Sequence, residues 1–208
     1  MRRFSSFLGI LAVGLMLTAF SNAQDGKKVK KDAKSKTPNY YPVDVGNTWH
    51  FRVNANGKNV NITTRISKLE KIDGETLARL DSANVALTEH LKQTDKGVFR
   101  SRFNGAEVVP PFQLLPYPAK IGLKWKGEFT VGKERAKHTY AGEIQREETI
   151  EVPAGKFKTL RVLIQLEENG QRVETTYWFA KNVGFVKQTF ETAGTMIMLE
   201  LEKFERKK

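Results

Sequence analysis

From residue 40 onward, the apolar side chains of this 208-residue chain recur with a period of two rather than 3.6. In residues 60–66, Val60, Ile62, Thr64 and Ile66 share one face, and Asn61, Thr63 and Arg65 share the other. In residues 160–166, Leu160, Val162, Ile164 and Leu166 alternate with Arg161, Leu163 and Gln165. In residues 197–201, Ile197, Leu199 and Leu201 alternate with Met198 and Glu200. Strands of this kind belong to antiparallel sheets that bury one face and wet the other. Turn signals fall between them at short intervals: Asn56-Gly57, Asp73-Gly74, Asn104-Gly105, Asn169-Gly170 and Ala193-Gly194. Asn-Gly and Asp-Gly pairs supply the positive φ angles of tight hairpins. In Val152-Pro153-Ala154-Gly155, an early proline and a late Gly155 fit a β-turn joining two strands. Only residues 82–90 suggest a short helical turn. The pattern predicts an all-β chain running as a meander of hairpins.

The chain also echoes itself. Tyr41-Pro42-Val43-Asp44-Val45-Gly46-Asn47-Thr48-Trp49 and Tyr117-Pro118-Ala119-Lys120-Ile121-Gly122-Leu123-Lys124-Trp125 both read Tyr-Pro-x-x-(Val/Ile)-Gly-x-x-Trp. Further on, Gly97-Val98-Phe99-Arg100 with Phe103 parallels Gly184-Phe185-Val186-Lys187 with Phe190. Proline fixes φ and extends the tyrosine before it, while Gly46 and Gly122 permit a sharp turn. Trp49 and Trp125 then open a strand with a large ring to bury. Two similar halves, residues 40–108 and 116–204, are expected within one β domain spanning residues 39–206.

The ends of the chain add a destination. Arg2 and Arg3 precede an uncharged, mostly apolar run at residues 7–20, and Ser21-Asn22-Ala23 offers small residues for cleavage. The run is too short for a bilayer span of about 20 residues, so residues 1–23 read as a signal peptide. Export to the periplasm or the exterior follows, with no transmembrane span in the mature chain. With no cysteine, neither disulfides nor lipidation are expected, and the core alone must hold the fold. The net charge of +12 overstates the basicity of the folded part. Arg2 and Arg3 carry two charges, and residues 24–36, with six lysines against Asp25 and Asp32, carry four more, leaving +6. Residues 24–38 have no apolar face and read as a disordered basic arm. Such an arm suits an anionic envelope component or lipid head groups. Nucleic acid is not an expected partner, since no basic-aromatic recognition motif accompanies the charge.

At Tyr40-Tyr41-Pro42, Gly46-Asn47-Thr48-Trp49, Val152-Pro153-Ala154-Gly155-Lys156-Phe157-Lys158-Thr159, Trp178-Phe179-Ala180 and Val183-Gly184-Phe185-Val186-Lys187, the chain resembles a family of uncharacterised bacterial exported proteins related to domain of unknown function 3108. The likeness spans about residues 40–204. It implies a curved antiparallel sheet, a half-barrel or clamshell in the envelope. It implies no activity and carries over no functional residues. Within it, Trp49, Trp125, Trp178, Gly46, Gly122 and Gly155 are expected to be structural.

Candidate chemistry is sparse. His50, His90 and His138 lie far apart in sequence, and none has a second histidine or a cysteine at metal-ligand spacing. No cofactor fingerprint is present, and residues 152–156 lack the glycine-lysine spacing of a phosphate loop. Glu147, Glu148 and Glu151 resemble paired acids, but alternation splits neighbours between faces and favours a wet sheet surface. The most unusual stretch is Val109-Pro110-Pro111-Phe112-Gln113-Leu114-Leu115-Pro116-Tyr117-Pro118, a stiff apolar strap between the expected halves. Phe112, Leu114, Leu115 and Tyr117 are its candidate ligand contacts. The expectation is a non-enzymatic envelope protein holding a hydrophobic or amphiphilic ligand against a curved sheet. The rival expectation is an interaction module working through a sheet edge or the basic arm.

Overall fold

The computed structural model describes residues 39–168, 171–192 and 194–207. The leader at 1–23 and the arm at 24–38 lie outside the described residues. The first six strands are β1 (Thr48–Ala55), β2 (Lys58–Ile72), β3 (Glu75–Ala83), β4 (Leu87–Thr94), β5 (Gly97–Phe103) and β6 (Ala106–Pro116). The second six are β7 (Lys124–Val131), β8 (Glu134–Val152), β9 (Gly155–Glu168), β10 (Gln171–Ala180), β11 (Gly184–Thr192) and β12 (Thr195–Glu205). Each pairs antiparallel with its sequence neighbours, as the alternation and the turn pairs anticipate.

The sheet is not open. β12 returns to β1, with partners running from Thr48↔Glu205 to Ala55↔Ile197, and the twelve described strands close into one barrel. The half-barrel or clamshell of two halves is therefore corrected. An open sheet would leave one side of β1 and one side of β12 with unpaired backbone donors and acceptors, whereas closure pairs them. Closure also leaves the sheet-edge form of the interaction module without a free terminal strand. The one thin seam is β6–β7, whose ladder consists of Val108↔Val131 and Val109↔Thr130. Most of the proline-rich strap is not a connection between two halves but strand β6 in the wall itself. Residues 82–90 form no helix: Asn84 to Ala86 turn β3 into β4.

Both echoes are separated by six strands: the Tyr-Pro segments lead into β1 and β7, and the Gly segments open β5 and β11. The two strand-opening turns share one geometry. Gly46 (φ 97°) donates its N–H to Ile66 O at 2.8 Å, and Ile66 N–H donates to Asn47 O at 3.0 Å. Gly122 (φ 82°) donates to Ile144 O at 2.7 Å, and Ile144 N–H donates to Leu123 O at 2.9 Å. Positive φ at both positions favours glycine. Trp49 is fully buried whereas Trp125 is partly buried, so the two rings differ in environment.

Alternation sorts the wall. Val53, Phe51, Ile62, Leu80, Leu91, Val162, Ile164 and Leu201 point into the lumen, while Arg52, Lys126, Glu143, Arg161, Lys187 and Glu200 point outward. Interiors of about eight strands are filled by side chains, and larger barrels enclose space. Twelve strands here are filled partly by rings. Phe112 packs edge-on to Phe129 and Tyr140 at 5.4 and 4.6 Å on one side. Phe51 stacks on Phe185 at 4.9 Å on the other.

Candidate functional site

What the rings leave unfilled is a cavity of about 100 Å³ in the lumen. Its apolar wall includes Phe51, Ile62, Leu80, Leu114, Phe190 and Leu199. One end is stopped by Tyr41, which arrives from the segment before β1 and lies 5.7 Å from Trp49 and 6.2 Å from Phe185, centroid to centroid. Toward the other end, where the β1–β2, β3–β4 and β5–β6 turns lie, the cavity is bordered by partly exposed Leu87 and Phe103. Beyond them Val60, on the same face of β2 as Ile62, is 54% exposed. A lumen-side valine open to water marks this end as the mouth.

Into this apolar space two charges project. Glu89 on β4 shares a face with Leu87 and Leu91, and Arg100 on β5 shares a face with Val98. Arg100 donates from Nε to Glu89 Oε2 at 2.9 Å and from Nη2 to Oε1 at 3.0 Å, a bidentate fork. Their side chains are only 11% and 12% exposed. The guanidinium also lies 5.6 Å from the Phe103 ring centre and 5.9 Å from that of Phe112. Burial works against the Arg100 charge, but Glu89 together with Tyr177 and Tyr41 holds the guanidinium pKa above its ordinary value. Burial pushes the Tyr41 and Tyr177 hydroxyls up, so both remain protonated donors beside the pair. Ser82, also in the lining, has a buried Oγ with no hydrogen-bond partner in the structure. An apolar cavity with a few convergent polar groups is the usual form of a small-molecule site.

Of the residues singled out from the sequence, Leu114 lines this cavity. Phe112 and Leu115 are buried in the core, and Tyr117 lies at the closed end, its hydroxyl accepting from Tyr40 N–H at 3.0 Å. Trp49 donates Nε1–H to Val183 O at 2.6 Å. Trp125 donates to Gln113 O at 3.1 Å across the β6–β7 seam. Trp178 points outward, donating to Glu148 Oε1 at 2.8 Å with Arg161 over its ring. Gly155 opens β9 after the Pro153-Ala154 turn. His50 and His90 sit on the outer face beside Glu205 and Glu70, and His138 stacks on Phe129 in the lumen. Among the described residues no cluster of three or more metal-capable side chains occurs. Glu147 and Glu151 lie on the wet face opposite Lys158 and Lys156. Glu89 and Arg100 were not among the candidates, although a carboxylate sharing a strand face with Leu87 and Leu91 was a signal open to view.

No family model and no curated protein matches the chain. The link to domain of unknown function 3108 therefore rests on the quoted motifs alone. Among solved structures, a candidate lipoprotein from Parabacteroides distasonis ATCC 8503 is similar at a TM-score of 0.51 and 14% identity, over 82% of this chain and all (100%) of that one. That likeness shows the fold alone. A candidate exported protein with YmcC-like fold from Bacteroides fragilis NCTC 9343 aligns at a TM-score of 0.49 and 15% identity, covering 81% of this chain and 100% of that one.

Proposed function

We propose that this chain is a non-enzymatic protein of the cell envelope whose barrel lumen takes one end of an amphiphile. The observation that carries the reading is the cavity that Tyr41 stops at one end and that Val60 leaves open at the other. Its size limits what enters. An apolar cavity of about 150 Å³ holds one benzene, so about 100 Å³ here receives a small head group with a short length of a single chain, not a whole lipid. The remainder of the ligand extends through the mouth. The exterior supports a barrel standing in water, because its outward positions carry Lys, Arg and Glu. A barrel that spans a membrane turns an apolar band outward instead. An envelope address comes from the leader-like segment at residues 1–23, and the similar fold from Parabacteroides distasonis, described as a candidate lipoprotein, agrees with it.

The test is thermal unfolding of delipidated protein titrated with single-chain amphiphiles below their micellar concentrations. A ligand that binds only the folded state at a hundredfold excess over its Kd adds about 2.7 kcal/mol. For a domain of this size that raises Tm by about 5–10 °C. No shift with any chain length, together with no co-purifying lipid by native mass spectrometry, contradicts the reading.

A further inference from the structure

We infer that the lumen selects its amphiphile by head group, taking an uncharged, hydroxyl-bearing chain in preference to a carboxylate or an ammonium. The inference rests on the lumen reading above and adds the ligand's chemical class. Its basis is the state of the Glu89–Arg100 pair. Both carboxylate oxygens already accept from Arg100, and the two charges cancel at contact distance. An incoming carboxylate finds a guanidinium whose fork is occupied and meets the Glu89 charge beside it. An incoming ammonium meets Arg100 in the same way. In a site shielded from water such like-charge approaches are weakly screened and costly.

A hydroxyl pays neither cost. It donates one hydrogen bond and accepts others, and the cavity lining offers both functions. Glu89 retains lone pairs beyond the two that the fork uses, the Tyr41 and Tyr177 phenols remain protonated, and Ser82 Oγ lacks a partner. Thr64 and Gln188 complete the polar part of the same lining. The salt bridge acts as a filter: it supplies polarity to orient a neutral head while leaving no free charge to capture an ion.

The test compares 1-octanol, octanoate and octylammonium by isothermal titration at one pH and ionic strength. Wild type is expected to bind octanol at least about tenfold more tightly than either ion, a difference of about 1.4 kcal/mol. Glu89→Gln leaves Arg100 without its anion, and octanoate is expected to overtake octanol. Should Glu89→Gln not fold, the double variant Glu89→Leu/Arg100→Met replaces the pair by apolar side chains, a change that buried pairs often tolerate. That variant is expected to lose its preference for octanol over other uncharged eight-carbon chains such as octane. Octanoate binding wild type as tightly as octanol, an unchanged order in Glu89→Gln, or a retained octanol preference in the double variant overturns the head-group inference while lumen binding stands. Failure of all three amphiphiles to bind wild type overturns lumen binding itself.

Discussion

At the residue scale the clearest constraint is the pairing of glycines with rings across β7 and β8. Gly142 faces Trp125 and Gly127 faces Tyr140 in register. A Cβ built on Gly142 would lie 2.3 Å from the Trp125 ring, and one on Gly127 would lie 2.7 Å from the Tyr140 ring. Neither contact is possible for real atoms, so each ring owes its place to the missing side chain opposite. Gly142→Ala is expected to cost about 1–3 kcal/mol by overpacking, measured by urea unfolding. In a Trp125→Ala background the same change should cost far less, because the obstructing ring is gone. Equal costs in both backgrounds would show that Trp125 does not lie over Gly142. The sequence shows two glycines inside strands, a sign of close approach, but the partner ring depends on register and cannot be read locally. Glu89 and Arg100 differ. Their place on lumen-facing positions follows from alternation alone, and only their mutual fork required the β4–β5 register to be seen.

At the element scale the period-two pattern and the Asn-Gly and Asp-Gly turns reveal strands, hairpins and antiparallel order. Pattern fails at β6. Pro110 and Pro111 lack N–H groups, which argues against a strand inside a sheet, yet the wall accepts them where the β6–β7 ladder is short. The backbone of Gln113 shows how the gap is managed. Its N–H donates to the Tyr140 hydroxyl at 3.3 Å, and its carbonyl accepts from Trp125 Nε1 at 3.1 Å. Two aromatic side chains thus stand in for a neighbouring strand, which satisfies the need of buried backbone groups for partners. Tyr140→Phe removes the acceptor while keeping the ring. The Gln113 amide is then expected to exchange with deuterium roughly fivefold faster, the equivalent of one hydrogen bond of about 1 kcal/mol. Amides of the β1–β12 ladder should keep their rates. Unchanged exchange at Gln113 would mean that the seam is held by other contacts.

At the scale of the whole molecule, closure is what local pattern could not reveal. It depends on Thr48 meeting Glu205 and Ala55 meeting Ile197, pairs separated by most of the described chain. An open sheet and a closed barrel built from the same hairpins present the same alternation. Closure turns one sheet face into a lumen, and the lumen turns an apolar face into a cavity with the Glu89–Arg100 pair on its wall. On the proposed function, this cavity receives one end of an amphiphile through the end bordered by Val60, Leu87 and Phe103. The most direct measurement is a crystal structure of the protein grown with saturating 1-octanol. A closed β1–β12 ladder and an octyl chain lying among Phe51, Leu80, Leu114 and Phe190 are expected. An empty or collapsed lumen, with octanol absent or bound only on the outer wall, would contradict the proposed function.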